Sequence, residues 1–316
     1  MTLVYLGSGE FGVPCLDALK ASRHTLALVV TQPANPAGRG RKPQPTPVAQ
    51  WTAAHAMPFV ETDNVNSPEM MARIAECRPD VLVVIAFGQK IGPELVKLPT
   101  KGAINVHASL LPKYRGAAPI NWAILRGETH TGNSIITLAE KIDAGDILAQ
   151  SETTIGPLET AGELHDRLAQ LAPPLLLDTL DRIGAGTATC TKQNETEVTF
   201  APKLHKSDGF LDFTESAESL ARKIRGLSPW PGAAAAFVSQ QTEKTTRVVI
   251  ASAEVVSAGA SSLPSGTFDD ELSVVCGTGR LKLVNLKPAG SGLMKFRAFI
   301  NGWHVRPGDR LVKIEE

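Results

Sequence analysis

The chain has 316 residues, 43% hydrophobic and 20% charged, and its 32 basic and 32 acidic side chains cancel to a net charge of zero. That length supports two domains, each with its own core. The balanced charge excludes a protein that coats nucleic acid non-specifically, while leaving room for a local basic patch.

The first residues, Met1-Thr2-Leu3-Val4-Tyr5-Leu6, read as a strand (3–6) rather than a leader, and no apolar run is long enough to span a bilayer. Helix is expected over 11–21 and strand over 25–31. Helices follow at 48–55 and 68–77. The continuous apolar run 81–86 has the pattern of a strand buried on both faces. A strand at 103–107, a helix at 119–126 and strands at 134–139 and 147–152 come next. A long helix is expected over 160–183 despite Pro173 and Pro174. Alternation of this kind predicts a doubly wound, mostly parallel α/β sheet over 1–189. Residues 190–206 are polar and weakly periodic, and read as a linker. Beyond them a helix is expected at 216–225, with Thr214 as its cap. Short strands at 234–238, 246–256, 266–268, 272–275, 281–286 and 310–314 predict a small β-barrel over 207–316.

Cys15, Cys77, Cys190 and Cys276 are far apart. No pair has zinc-ligand or redox spacing, which fits a reducing compartment, and the cytoplasm is the expected location. Gly7-Ser8-Gly9-Glu10-Phe11-Gly12 matches the dinucleotide-binding pattern G-x-G-x-x-G. That pattern also needs an acidic residue after the second strand, to hold the ribose. Here the chain reads Val29-Val30-Thr31-Gln32-Pro33, so the glycines are expected to serve a tight strand-to-helix turn.

The richest segment is Ile104-Asn105-Val106-His107-Ala108-Ser109-Leu110-Leu111-Pro112-Lys113-Tyr114-Arg115-Gly116. Asn105 and His107 are two residues apart, which places both on one face of a strand that then breaks into a Pro/Gly loop. Downstream, Asp143 precedes a glycine turn in Lys141-Ile142-Asp143-Ala144-Gly145-Asp146. An Asn amide can stabilise a developing oxyanion, a His can take an amine proton, and an Asp can orient that His. Such a set moves a group between two amines without a Ser or Cys nucleophile. On the residues alone, His107 also fits a satisfied core histidine, Asn105 a loop tie, and Asp143 or Asp146 a turn cap.

The run 104–116 followed by Ala117-Ala118-Pro119-Ile120, together with 142–146, closely resembles the folate-dependent formyltransferases, over essentially the whole chain. Thr31-Gln32-Pro33 through Gly38-Arg39-Gly40-Arg41-Lys42 and Pro45-Thr46-Pro47-Val48 resembles the inserted loop with which members acting on methionyl-tRNA hold RNA. Phe200-Ala201-Pro202-Lys203-Leu204 and 224–232 resemble their interdomain and C-terminal segments. The resemblance implies a formyltransferase domain followed by an OB-like barrel that binds tRNA. It implies transfer from 10-formyltetrahydrofolate, as cosubstrate and without a metal, to initiator methionyl-tRNA. It implies catalysis by Asn105, His107 and Asp143, folate contacts from Ser109, Leu110, Leu111 and Pro112 and from Phe87, Gly88 and Gln89, and tRNA contacts from Arg39, Arg41 and Lys42. The basic residues Arg222, Lys223 and Arg225, with Lys287, Lys295, Arg297, Arg306 and Arg310, are further phosphate candidates. No membrane and no obligate protein partner are implied, and the chain is expected to act as a monomer. Two departures stand out: Gly9, where the family commonly has proline, and Leu138-Ala139-Glu140-Lys141, where it often has a methionine-containing run. The alternatives are a formyltransferase for an amino sugar nucleotide, a 10-formyltetrahydrofolate hydrolase, an idle RNA-binding relative and an NAD enzyme. The Arg39–Lys42 loop disfavours the first two, the intact Asn, His and Asp the third, and Gln32-Pro33 the fourth.

Overall fold

The computed structural model describes residues 1–37, 42–256 and 261–315. The chain divides into two compact units: Met1–Pro119, His130–Thr154 and His165–Ala201 in the first, and Ile120–Thr129, Ile155–Leu164 and Pro202–Glu316 in the second. Among the described residues no helix is long and apolar enough to cross a membrane.

In chain order the elements up to residue 201 are β1 (Thr2–Gly7), α1 (Val13–Ala21), β2 (Thr25–Thr31), β3 (Asn35–Ala37), β4 (Lys42–Gln44), α2 (Pro47–Ala54) and β5 (Phe59–Glu61). They continue with α3 (Pro68–Glu76), β6 (Val81–Ile85), α4 (Pro93–Lys97), β7 (Ala103–His107), β8 (Arg115–Gly116), α5 (Pro119–Leu125), β9 (His130–Thr137), β10 (Ile147–Thr154), α6 (Ala161–Ala185) and β11 (Phe200–Ala201). Seven strands form one sheet in the order β10-β9-β7-β6-β1-β2-β5. The pairs β2–β5, β1–β2, β1–β6 and β6–β7 are parallel, whereas β7–β9 and β9–β10 are antiparallel. The chain runs outward from β1 through β2 to β5, then returns to the other side of β1 and runs outward again through β6 and β7. This is the doubly wound sheet expected from the sequence, and its topological switch lies between β1 and β6. Ligands of such sheets bind beyond the carboxyl ends of the strands at that point. The central strands justify their apolar composition: every residue of β6, VLVVI, is buried.

The glycine motif has a steric explanation. Tyr5 is fully buried, and a Cβ on Gly12 would lie 1.9 Å from its hydroxyl oxygen. The turn after β1 needs glycine there because the tyrosine fills the space a side chain would take.

The stretch read as a linker differs from expectation. Thr191 bridges Ile147, and β11 pairs in parallel with β8, so the chain stays on the first unit through Ala201. Its polar, weakly periodic composition hid this, because a backbone pairing with a distant strand leaves no local pattern in the sequence.

The second unit holds α7 (Ala217–Gly226), β12 (Ala233–Val238), β13 (Thr245–Val256), β14 (Val274–Val275), β15 (Arg280–Pro288), β16 (Met294–Lys295), α8 (Phe296–Trp303) and β17 (Arg310–Val312). Its strands pair antiparallel in the order β14-β15-β13-β12-β17, with β16 against β15. Bridges Thr267–Arg310 and Phe268–Val274 join the two edges into a nearly closed barrel. Phe237, Phe268, Phe296 and Phe299 fill its core. Helix α7 is capped by Ser216, whose hydroxyl accepts from the Ser219 N–H, and not by Thr214. The Thr214 hydroxyl donates instead to Asp212, 2.6 Å away.

Candidate active site

Strand β7 carries Asn105 and His107 to the carboxyl end of the sheet. Asn105 pairs with Val84 of β6 and Ile136 of β9, and His107 with Ser134. The next segment folds back. Ser109 is fully buried and its hydroxyl donates to the Lys113 carbonyl at 2.7 Å. Ser134 accepts from the Leu111 N–H and donates to the Ser109 carbonyl, pinning residues 109–111 to β9. Tyr114 then adopts φ +64, a left-handed conformation that costs a non-glycine residue about 1–2 kcal/mol. That turn aims the Tyr114 carbonyl at His107 Nε2, 2.9 Å away. A carbonyl can only accept, so Nε2 carries the hydrogen, and in the neutral imidazole the opposite nitrogen, Nδ1, offers its lone pair.

Asp143 arrives from the loop between β9 and β10, itself at φ +55. Gly145 makes the loop possible: a Cβ there would lie 1.7 Å from the Thr137 carbonyl oxygen. One carboxylate oxygen, Oδ2, accepts from the Gly116 N–H at 2.9 Å and stands 3.7 Å from His107 Nδ1. The other, Oδ1, is 3.5 Å from the Asn105 amide nitrogen. The three side chains singled out in the sequence therefore converge, although 38 residues separate Asn105 from Asp143. Both ionisable partners are largely shielded, with 7% of the His107 side chain and 12% of the Asp143 side chain exposed. The set can donate a hydrogen bond from Asn105, accept a proton at His107 Nδ1, and stabilise the resulting imidazolium with Asp143.

The expected folate residues fall into two groups. Leu110 and Pro112 are half-buried, whereas Ser109 and Leu111 are buried. Phe87 is a core residue, Gly88 has φ +79, and the Gln89 side chain is committed to Val65 N and Thr62 O at 2.8 Å each. Residues 87–89 therefore present chiefly backbone. Arg39 and Arg41 lie outside the described residues, and Lys42 opens β4. In the second unit the basic cluster is partly consumed. Lys223 is paired with Glu215, and Arg225 donates to the Gly156 and Glu159 carbonyls. Burial lowers the Arg225 pKa from its usual value. Among the described residues no group of three or more His, Cys, Asp or Glu could hold a metal ion.

Sequence reasoning missed the residues that hold this site: the backbone of Tyr114 and Gly116, and the side chains of Arg115, Gln193 and Glu195. Arg115 is buried and donates to Gln193 and Glu195. A buried arginine demands such partners, but nothing local in the sequence points from residue 115 to residue 193.

Residues 1–180 match the family described as Formyl transferase, and residues 203–304 its C-terminal domain. The methionyl-tRNA formyltransferase of Geobacter metallireducens is 37% identical over 316 residues, covering 98% of each chain. That of Roseobacter denitrificans is 39% identical over 308 residues, again covering 98% of each. Among solved structures, the sugar 3N-formyltransferase WlaRD superposes with a TM-score of 0.66 at 13% identity, covering 92% of this chain and 99% of that one. HypX from Aquifex aeolicus, in complex with tetrahydrofolic acid, gives 0.62 at 16% identity. It is matched over 95% of this chain, which spans about half of HypX's length (47%). At these identities the two structures establish the fold alone, whereas the family match and the full-length relatives establish membership. The chain belongs to the formyl transferase family.

Proposed function

We propose that this chain transfers the formyl group of 10-formyltetrahydrofolate to the α-amine of methionyl-tRNA, preferring the initiator, and so supplies formylmethionyl-tRNA for translation initiation. The observation that carries the reading is the convergence of Asn105, His107 and Asp143 at the end of β7 in a chain similar over 98% of its length to methionyl-tRNA formyltransferases. The neutral amine attacks the formyl carbon. A C–N bond forms to the amine and the bond from the formyl carbon to the folate N10 breaks, its electron pair staying on that nitrogen. Asn105 donates its amide to the formyl oxygen as negative charge develops there. His107 accepts the amine proton at Nδ1, the nitrogen left free by the bond from Nε2 to Tyr114, and returns it toward the leaving nitrogen. Asp143 stabilises the imidazolium in between.

Residues 109–112 and the backbone of 87–89 flank the carboxyl end of the sheet and are assigned to the folate. Arg39, Arg41 and Lys42 are assigned to the acceptor end of the tRNA, where arginine forks suit phosphates. One chain supplies the whole catalytic set, so the acting unit is a monomer, in the cytoplasm. Transfer of labelled formyl to initiator methionyl-tRNA, with elongator methionyl-tRNA beside it, tests the reading. Selective labelling of the initiator supports it. Folate binding or hydrolysis with no transfer to either tRNA overturns it.

A further inference from the structure

Two residues flanking Arg115 touch the ionisable members of the site. The Tyr114 carbonyl accepts from His107, and the Gly116 N–H donates to Asp143. Between them, the Arg115 side chain turns into the protein and meets Gln193, a residue of the polar stretch read as a linker. Arg115 donates from Nε and Nη2 to Gln193 Oε1 at 3.0 and 2.8 Å. The same guanidinium donates to both Glu195 oxygens, at 2.8 and 3.4 Å. Gln193 is buried, and its amide nitrogen donates to the Asp143 carbonyl at 2.8 Å and the Gly145 carbonyl at 2.7 Å.

The orientation of that amide is not free. A guanidinium only donates and carbonyls only accept, so the carboxamide oxygen must face Arg115 and its nitrogen must face the Asp143 loop. Both amide hydrogens are used, on carbonyls two residues apart, across a turn whose first residue is left-handed. The segment carrying Gln193 is itself fixed beside residues 114–116: Thr199 accepts from the Arg115 N–H at 2.9 Å and its hydroxyl from the Tyr114 N–H at 2.9 Å. One buried amide thus ties the backbone of Asp143 to the strand that orients its carboxylate and the imidazole it faces.

We propose that Gln193, held by Arg115, is a positioning residue for formyl transfer: it fixes the Asp143 turn so that the carboxylate stays opposite His107 Nδ1. The inference rests on the formyl-transfer reading of the site. Gln193 touches neither substrate in this account, and its loss acts through the placement of Asp143. A misplacement of about 1 Å in a catalytic group can cost about a hundredfold in rate.

Gln193→Glu separates positioning from folding. The carboxylate keeps its pairing with Arg115 but sets an oxygen where the amide nitrogen donated, against two carbonyls. Gln193→Leu, which removes every polar contact, is the companion variant should the first fold poorly. The measurements are kcat and KM for each substrate, the melting temperature, and amide hydrogen exchange of residues 143–146. The expected result for Gln193→Glu is a kcat lower by about tenfold to a hundredfold, with both KM values within about threefold of wild type. Exchange over 143–146 rises and the protein stays folded. A kcat within about threefold of wild type in a folded variant overturns the proposal, as does a loss of activity that only tracks the folded fraction. Wild-type protein that fails to formylate methionyl-tRNA defeats the proposed function instead. The exchange comparison then still decides whether Gln193 holds the turn, and unchanged exchange defeats the positioning role.

Discussion

Asp143→Asn removes one charge while keeping the shape of the side chain. The asparagine oxygen can still accept from the Gly116 N–H, now 2.9 Å from the carboxylate, so the turn keeps its anchor. What is lost is the attraction between the carboxylate and the imidazolium that forms when His107 takes the amine proton. The two groups stand 3.7 Å apart with 12% and 7% of their side chains exposed. At an effective dielectric constant of about 20 that separation corresponds to about 4 kcal/mol, and at the dielectric constant of water to about 1 kcal/mol. A mostly shielded pair falls between these limits, nearer the first. A loss of about 2–4 kcal/mol of transition-state stabilisation lowers kcat by about 30-fold to 1,000-fold. Single-turnover transfer at saturating donor reads this directly, with donor affinity and melting temperature as controls. A folded variant that loses less than about fivefold would refute the role given to Asp143.

Four other outcomes follow from the same structure. Asn105→Ala removes the amide assigned to the developing oxyanion and should lower turnover by roughly two to three orders of magnitude in a folded protein, against a loss below about tenfold if the assignment is wrong. Among the described residues the buried Tyr5 hydroxyl has no hydrogen-bond partner. Tyr5→Phe should therefore be neutral or slightly stabilising in urea titration, whereas Gly12→Ala should cost about 1–3 kcal/mol and recover much of it in the Tyr5→Phe background. Additive effects in the double variant would contradict the steric account of the glycine turn. The Asp80 carboxyl is held below its ordinary pKa by hydrogen bonds from the Thr2 N–H and the Thr100 hydroxyl. A depressed carboxylate stabilises the fold above its unfolded pKa and loses that contribution as pH falls through the folded value. Asp80→Asn should thus cost about 1 kcal/mol at pH 7 and progressively less below about pH 4; a cost independent of pH would show that the charge contributes nothing. Burial pushes the Cys15 and Cys276 thiols up to about 12, whereas Cys190 is exposed. A thiol reagent at pH 8 should label Cys190 in the native protein and reach Cys15 and Cys276 only after unfolding; rapid native labelling of either buried thiol would contradict their packing.

The parts of this molecule legible in the sequence are those written in local pattern. The run TLALVVT forms β2 over Thr25–Thr31, and AINVH forms β7 over Ala103–His107, as alternation and apolar content predict. Asn105 and His107 were visible because a period of two puts them on one face, and Asp143 because it sits beside a glycine turn. Gln193 was invisible for the opposite reason. It lies among polar residues with no periodicity, and its partners, Arg115 and the carbonyls of Asp143 and Gly145, are between 48 and 78 residues away. Helix α8 escaped notice because it is short and its apolar residues, Phe296 and Phe299, pack into a barrel core assembled from distant strands. The basic residues of α7 mislead in the same way: in sequence they form a patch, yet Glu215 pairs with Lys223, and backbone carbonyls occupy Arg225.

The most direct test offers the purified protein 10-formyltetrahydrofolate together with two acceptors in parallel, charged initiator methionyl-tRNA and a nucleotide-linked amino sugar. Each product is followed by mass spectrometry. Rapid appearance of formylmethionine on the tRNA, with the sugar left unmodified, is the predicted result. Formylation of the sugar with no transfer to the tRNA would contradict the account, leaving its fold and its catalytic residues in place but its acceptor wrong.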